Sequence, residues 1–177
     1  MKNGMKKGII RLAILAGSIL IACVLFDNNS YEVGFSTIAS IYRVYDPTYS
    51  DTVTITFSGE YTDSILLSDT FKGQVLFAKR SVVDLDGSIV TAKFENNCSV
   101  PLITRINGFS YTSRIHSVLR DAAERNYVII LYNEYSNTDG KINATLDVTQ
   151  LEFICIGELS REEAIDLIRI YYSDIAD

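Results

Sequence analysis

The residues of this chain that could act in catalysis are few and lie far apart in the sequence. A catalytic histidine works through a nucleophile and an orienting acid held within hydrogen-bonding distance. The single histidine, His116, is followed at four-residue steps by Arg120 and Glu124, and this spacing predicts the solvated surface of a helix. The chain contains no GxSxG nucleophile elbow, HExxH zinc helix or glycine-rich phosphate loop. The sequence therefore predicts no catalytic residue.

Paired carboxylates could act as acid and base on a glycan, but here they have simpler explanations. Glu162 and Glu163 stand at the start of a predicted helix, where acidic residues favour the helix dipole. Asp63 and Asp69 flank an apolar triplet and are predicted to solvate a loop. The run Asp84–Gly87 begins like a calcium loop, but its glycine comes too early and no closing glutamate follows. We expect a hairpin turn there, and neither a metal site nor a cofactor.

Three cysteines give limited scope for disulfide or metal chemistry. Cys23 lies in an amino-terminal apolar segment, which leaves Cys98 and Cys155 as a candidate disulfide pair outside the cytoplasm. Cys155 lies inside the apolar run from Leu151 to Ile156, where a buried thiol serves equally well as a small hydrophobic side chain. No CxxC spacing occurs, so the sequence predicts neither a zinc site nor a thioredoxin-like redox centre.

The amino-terminal segment 1–27 predicts where the protein works. An apolar run extends from Leu12 to Phe26 and ends at Asp27. Four basic residues precede it: Lys2, Lys6, Lys7 and Arg11. Positive charge stays on the cytoplasmic side while an apolar run enters the bilayer. We therefore expect localisation at the cell membrane, with a single amino-terminal anchor and the rest of the chain outside the cytoplasm.

The sequence leaves three fates open for this apolar run. Its length falls between a signal-peptide core and a spanning helix of about 20 residues, which allows an uncleaved anchor. The run Leu20-Ile21-Ala22-Cys23 resembles the lipobox of bacterial lipoproteins, in which the cysteine is acylated and becomes the new amino terminus. No small-x-small cleavage site follows the apolar run, whose last residues before Asp27 are Val24, Leu25 and Phe26, so release after secretion is the least favoured fate. An anchor or a lipid would each leave the protein tethered to the membrane.

The exported part of the chain is strongly acidic. All 22 acidic residues follow Phe26, whereas only 12 of the 16 basic residues do, so the formal charge beyond Phe26 is −10. Such a surface repels phosphate backbones and anionic lipid headgroups, and we expect no nucleic-acid partner. Acidity that aids solubility explains the composition better than a dedicated acidic binding face.

Alternating polar and apolar residues in the exported chain are typical of half-buried antiparallel strands. The clearest alternation runs from Thr52 to Phe57. Further strands are predicted at Gly73–Ala78, Ser88–Phe94, Pro101–Ile106, Tyr127–Tyr132 and Ala144–Ile156. Turn residues at Asp84–Gly87 and Asn137–Gly140 imply two hairpins. The segment Ser36–Tyr45 is left open between a short helix and the first strand.

Two segments are predicted to be helical. Ser160 and Glu163 fit a capping box, and an apolar stripe follows them. Thr112–Arg125 places apolar residues at helical spacing, so we expect a second helix lying across the sheet.

These elements predict an α+β, β-rich fold: a bent antiparallel sheet or small β-sandwich with one or two covering helices. One amino-terminal transmembrane or signal helix would precede it. The chain divides into an anchor or lipoprotein-type signal (1–27), a juxtamembrane segment (28–50) and one extracytoplasmic β-rich domain (51–177). With 47% hydrophobic residues, the chain has ample material for a core.

Two resemblances bear on function. Thr54–Tyr61 followed by Asp69–Val75 resembles short runs in uncharacterised, amino-terminally anchored envelope proteins of Gram-positive bacteria, over about a sixth of the chain. This resemblance implies a tethered extracytoplasmic domain and transfers no catalytic residues. Lys7-Gly8 before the apolar run resembles the start of type IV pilin precursors, although Ala13 stands where those carry a glutamate.

We expect a noncatalytic, membrane-tethered domain that binds another envelope protein or an extracellular ligand. The alternatives are an anchored cell-envelope hydrolase and a pilin-like minor subunit. A hydrolase would show a cleft whose polar groups have shifted pKa values, whereas a binding domain would show an exposed apolar patch or an open sheet edge.

Overall fold

The structure is a computed structural model that describes residues 12–18, 28–64, 68–79, 81–105, 114–121, 126–138, 141–147 and 150–172. Eleven strands and two helices lie within these ranges. The strands are β1 (Asn28–Arg43), β2 (Ser50–Ser64), β3 (Thr70–Phe77), β4 (Ser88–Lys93), β5 (Cys98–Ser99), β6 (Leu102–Arg105), β7 (Ile115–Asp121), β8 (Asn126–Leu131), β9 (Glu134–Thr138), β10 (Lys141–Thr145) and β11 (Glu152–Ile156). The helices are α1 (12–18) and α2 (Arg161–Tyr171).

Nine of these strands form one antiparallel sheet in the order β5-β7-β8-β11-β1-β2-β3-β4-β6, while β9 and β10 pair as a separate hairpin. The predicted alternation at Thr52–Phe57 is confirmed within β2, where Val53 and Ile55 are buried. The strands predicted at Gly73–Ala78, Ser88–Phe94, Pro101–Ile106 and Tyr127–Tyr132 correspond to β3, β4, β6 and β8. The β-rich α+β class with a bent antiparallel sheet is thus confirmed.

The sheet curls so that one face encloses the main core. Ile103 of β6 and Ile115 of β7 lie near opposite ends of the strand order, yet both belong to this core. Two glycines that face each other, Gly59 on β2 and Gly73 on β3, allow the close approach that the curl requires. A Cβ on Gly73 would lie 2.3 Å from the carbonyl oxygen of Ser58. Glycine at such positions permits strands to coil where a side chain would force them apart.

A second core lies on the outer face of β7, β8 and β11, where α2 covers it. The apolar side chains of this helix that are buried there are Ala164, Ile165 and Ile168. They pack with strand residues that include Leu119, Val128, Ile130, Phe153 and Cys155. The predicted capping box is confirmed: the Ser160 side chain accepts the Glu163 amide, and the Glu163 carboxylate accepts the Ser160 amide at 2.8 Å. One covering helix is therefore present among the described residues.

The helix predicted at Thr112–Arg125 is wrong, because Ile115–Asp121 forms strand β7. A bulge between Ile115 and Ser117 shifts the alternation of this strand. Ile115 and Val118 therefore contact the main core, while Leu119 contacts the core beneath α2. Because both faces of β7 are covered, its apolar residues fall at a spacing that imitates a helical stripe. Residues 111–113 and 122–125 lie outside the described part of the chain.

Two other predictions change in detail. The single strand predicted at Ala144–Ile156 is two strands, because β10 ends at Thr145 and β11 begins at Glu152. The open segment Ser36–Tyr45 is mainly strand, since β1 runs to Arg43 and pairs with β2. This pairing extends back to Asn28, so the sheet begins within the segment 28–50.

Both predicted hairpins are present. β3 and β4 pair on either side of the Asp84–Gly87 turn, in which Gly87 has φ +69° and Ser88 N–H donates to the Leu85 carbonyl at 2.9 Å. β9 and β10 pair with Thr138 opposite Lys141, and residues 139–140 between them lie outside the description.

The amino-terminal segment is described only at residues 12–18, which form α1. Among the described residues no helix has both the length and the apolar character needed to cross a bilayer. Cys23, the candidate acylation site, lies outside the described residues.

Candidate functional site

One edge of β1 has no partner strand along most of its length, and this opening defines the candidate site. β1 pairs with β2 from Asn28 to Tyr42, but β11 covers its other edge only from Ser40 to Arg43. After Ile156, Gly157 adopts φ +106° and the chain leaves the sheet toward α2. Within the described residues, no strand lies along the second edge of Asn28–Ala39. The interior of the curled sheet is therefore accessible beside this segment of β1.

A cleft of about 740 Å³ occupies this opening, and we call it the open cleft. It is lined by Tyr31, Glu32, Val33, Gly34, Phe35, Tyr61, Asp63, Asp69, Arg120 and Tyr127. Four of these residues also line an apolar cavity of about 100 Å³ inside the main core: Val33, Phe35, Tyr61 and Tyr127. The open cleft thus joins a polar rim to an apolar interior, which is the usual character of a binding pocket.

Aromatic side chains form the wall of the open cleft on the β1 and β2 side. The Phe35 ring stacks on Phe57 with centroids 4.9 Å apart, and the Tyr31 ring lies 5.6 Å from Tyr61. Phe71 of β3 meets Phe57 edge to face at 6.2 Å. Phe35 and Tyr31 remain 46% and 50% exposed, although both project from the sheet face that encloses the core. An apolar surface of this kind is suited to contact a ligand.

A buried ion pair crosses the floor of the open cleft. Arg120 of β7 donates to the carboxylate of Asp69, which precedes β3, and both side chains are largely buried. Asp69 also accepts hydrogen bonds from the Ser64 amide at 3.0 Å and the Tyr61 hydroxyl at 3.1 Å. Arg120 donates further to Asn97 Oδ1, at 3.0 Å from Nη2. These bonds connect β7 to β2 and to the segment before β3, and so hold the curled sheet closed behind the cleft.

The pKa shifts in this network fix the charge of each group. Burial raises the pKa of Tyr61 and keeps its phenol neutral. Burial alone would raise the pKa of Asp69, but the Ser64 amide and the Arg120 guanidinium outweigh it and lower that pKa. Burial likewise opposes the charge of Arg120, yet the hydrogen bond that Arg120 donates to Asp69 leaves its pKa raised. All three shifts move away from neutrality, whereas a general acid or base needs a pKa near the working pH.

His116 does not lie on a helix surface, as its spacing had predicted. It is the extra residue at the β7 bulge and is only partly exposed. Its Nδ1 lies 3.0 Å from the Tyr172 hydroxyl and 3.2 Å from the Ser117 hydroxyl, and its ring packs edge to face on Tyr132. Burial lowers the pKa of His116 and favours the neutral ring. In the part of the chain that the structure describes, the hydrogen-bond partners of this ring are the two hydroxyls, and no carboxylate orients it.

Cys98 and Cys155 are free thiols at separated positions of one sheet. Cys98 on β5 lies opposite Leu119 of β7, and Cys155 on β11 lies opposite Val128 of β8. Leu119 and Val128 pair with each other, so roughly three strand spacings, about 14 Å, separate the two Cα atoms. A disulfide needs Cα atoms within about 7 Å. Burial raises the pKa of both thiols, that of Cys155 to about 12.

Of the carboxylates considered from the sequence, Asp63 and Asp69 both line the open cleft, and the others lie elsewhere. Glu163 caps α2, and Asp84 supports the turn before β4 through the Asp86 amide. Asp63 does line the open cleft, but Asp69 is in the ion pair with Arg120 and does not solvate a loop. Among the described residues, no three His, Cys, Asp or Glu side chains are grouped so as to hold a metal ion.

Sequence reasoning missed the partnership of Asp69, Tyr61 and Arg120. The hydroxyl of Tyr61 and the guanidinium of Arg120 are 59 residues apart in the chain. Arg120 was assigned to a helix surface, so no signal linked it to β2. An arginine directly after the apolar pair Val118-Leu119 was the available hint, because a charge at such a position in a strand needs a buried partner. Comparison with protein-family models, curated proteins and solved structures finds no match to this chain.

Proposed function

We propose that this protein is a noncatalytic binding domain, tethered to the cell membrane by its amino-terminal segment, and that the open cleft is its binding site. The partner is another envelope protein or an extracellular ligand. One observation carries the proposal: the half-exposed rings of Tyr31 and Phe35 line the open cleft, and Phe35 also lines the apolar cavity, beside the edge of β1 that has no partner strand among the described residues. Exposed apolar surface and an open strand edge are features of interaction sites.

The chemistry of the open cleft favours binding over hydrolysis. Asp69 and Arg120 neutralise each other, and Tyr61 stays protonated, so none of these groups is poised to move a proton near neutral pH. His116 lies outside the set of residues that line the cleft. An anchored hydrolase remains the competing function, and it would need a nucleophile or an acid and base pair at this cleft.

The membrane tether is supported by the sequence. Four basic residues precede the apolar run that ends at Phe26, and a net charge of −10 follows it. This asymmetry favours retention of the amino terminus in the cytoplasm and export of the remainder. Because β1 begins at Asn28, directly after Asp27, the open cleft would lie close to the membrane surface.

Site-specific photocrosslinking in intact cells tests the binding site. A photoreactive phenylalanine analogue placed at Phe35 should yield a crosslinked adduct with a partner, because this ring lies in the open cleft. The same analogue at Leu76, which is also partly exposed but lies outside the cleft lining, is the matched control. The partner recovered at position 35 is then purified and titrated against the wild-type protein and the Phe35→Ser variant.

We expect an adduct at position 35 and none at position 76, together with weaker binding by Phe35→Ser. Equal crosslinking at both positions, or equal affinity of the two proteins, would contradict the proposed site. Hydrolysis of the purified partner during the titration would favour the competing enzymatic function.

A further inference from the structure

The edge of β1 that faces away from β2 carries main-chain groups along Asn28–Ala39 that no described strand pairs with. Each residue of an edge strand turns its N–H and C=O alternately toward its neighbour and toward the outside. Along Asn28–Ala39, the main-chain groups directed at β2 are paired in register. The main-chain groups on the other edge are directed toward the open cleft. Proline and lysine commonly protect an edge strand from pairing with another chain. The segment Asn28–Ala39 contains neither, and its only charged residue is Glu32.

We propose that an extended segment of a partner protein adds to β1 as a further strand along Tyr31–Ile38, with apolar residues facing the cavity and a lysine or arginine opposite Glu32. This inference rests on the proposed binding function and specifies the chemistry of the partner. Strand addition of this type gains affinity from main-chain hydrogen bonds and specificity from alternate side chains.

The inward face of β1 is prepared for apolar residues. Tyr31 is opposite Tyr61 on β2, and Tyr61 is opposite Phe71 on β3, which makes an aromatic row across three strands. Phe35 and Phe57 form a second, shorter aromatic row across β1 and β2. Both rows end at the free edge of β1 in half-exposed rings. Apolar side chains on an added strand would extend both rows and remove those rings from water.

The outward face of β1 selects for positive charge. Glu32 is directly opposite Glu60 on β2, and Glu60 is opposite Lys72 on β3, with all three side chains exposed. Like charges at directly opposed positions repel each other. A basic residue opposite Glu32 would place a cation on that side of the two glutamates, as Lys72 does on the other side. A shallow groove of about 560 Å³ around Ser30–Gly34 and Ser58–Glu60 leaves room for its side chain.

A second copy of this chain fits the edge less well. The segment Asn28–Ala39 contains no lysine or arginine, so pairing β1 with β1 would leave Glu32 without a cation opposite it. The net charge of −10 beyond Phe26 also opposes association of two copies.

Synthetic peptides test the inference on the full chain in detergent. The probe is a nine-residue peptide of alternating valine and lysine, and its first control has the same composition with the valines in one block. A second control replaces each lysine with glutamate. Affinity is measured by fluorescence anisotropy, and backbone hydrogen exchange is followed across residues 29–38. The protein variants are Glu32→Lys and, as a matched charge reversal at an exposed site outside the cleft, Asp86→Lys.

The alternating lysine peptide should bind more tightly than both controls and should slow amide exchange along Tyr31–Ile38. Glu32→Lys should weaken its binding by roughly tenfold, while Asp86→Lys changes it little. Equal affinity for the block peptide, unchanged exchange, or self-association of the chain through β1 would overturn the inference. If photocrosslinking at Phe35 still identifies a specific partner, the proposed function survives that failure. If both fail, the proposed function fails as well.

Discussion

At the scale of single residues, the ion pair between Arg120 and Asp69 is expected to contribute strongly to stability. Both side chains are largely buried, so each charge depends on the other for its stability. Arg120→Met removes the cation and leaves the Asp69 carboxylate buried without it. Chemical denaturation of the full chain in detergent should show a loss of about 3–5 kcal/mol in the free energy of unfolding.

The double variant Arg120→Met with Asp69→Asn is the control for this substitution. It removes both charges, so it should lose less stability than Arg120→Met alone, because no unpaired charge stays buried. Losses that are simply additive, or a single variant as stable as the wild type, would show that the pair does not close the floor of the open cleft.

At the scale of elements, the curl between β2 and β3 depends on two opposed glycines. In Gly73→Ala the new Cβ would meet the Ser58 carbonyl oxygen at 2.3 Å and the Gly59 Cα at 2.7 Å, so the strands must move apart. We expect a loss of about 1–3 kcal/mol in the free energy of unfolding. Gly34→Ala on β1 is the matched control, because no atom lies within 4 Å of its added Cβ. Equal stability of the two variants would contradict this account of the curl.

Some elements of the fold could be predicted from the sequence, and others could not. β2 was predictable because one face is buried and the other exposed, which leaves a visible alternation. α2 was predictable because its capping box and apolar stripe are local signals. β7 was not, since a bulge and burial on both faces disguised its period. The open cleft was not predictable either, because it depends on where β11 stops pairing with β1.

At the scale of the whole molecule, the chain combines a basic and apolar amino-terminal segment with an acidic sheet that begins at Asn28. If positive charge retains the segment before Leu12 in the cytoplasm, the open cleft works outside the cell. A protease added to sealed cells should then digest residues 28–177, whereas a protease expressed in the cytosol should leave them intact.

Replacing Lys2, Lys6, Lys7 and Arg11 with glutamine tests the physical reason for this orientation. Without these cations the bias toward a cytoplasmic amino terminus weakens, so the fraction of chains digested from outside should fall. A mutant with lysines replaced by arginines keeps the charge and should retain the wild-type digestion pattern. Protection of the wild-type domain from external protease, with digestion from the cytosol, would place the open cleft on the opposite side and remove envelope partners from consideration.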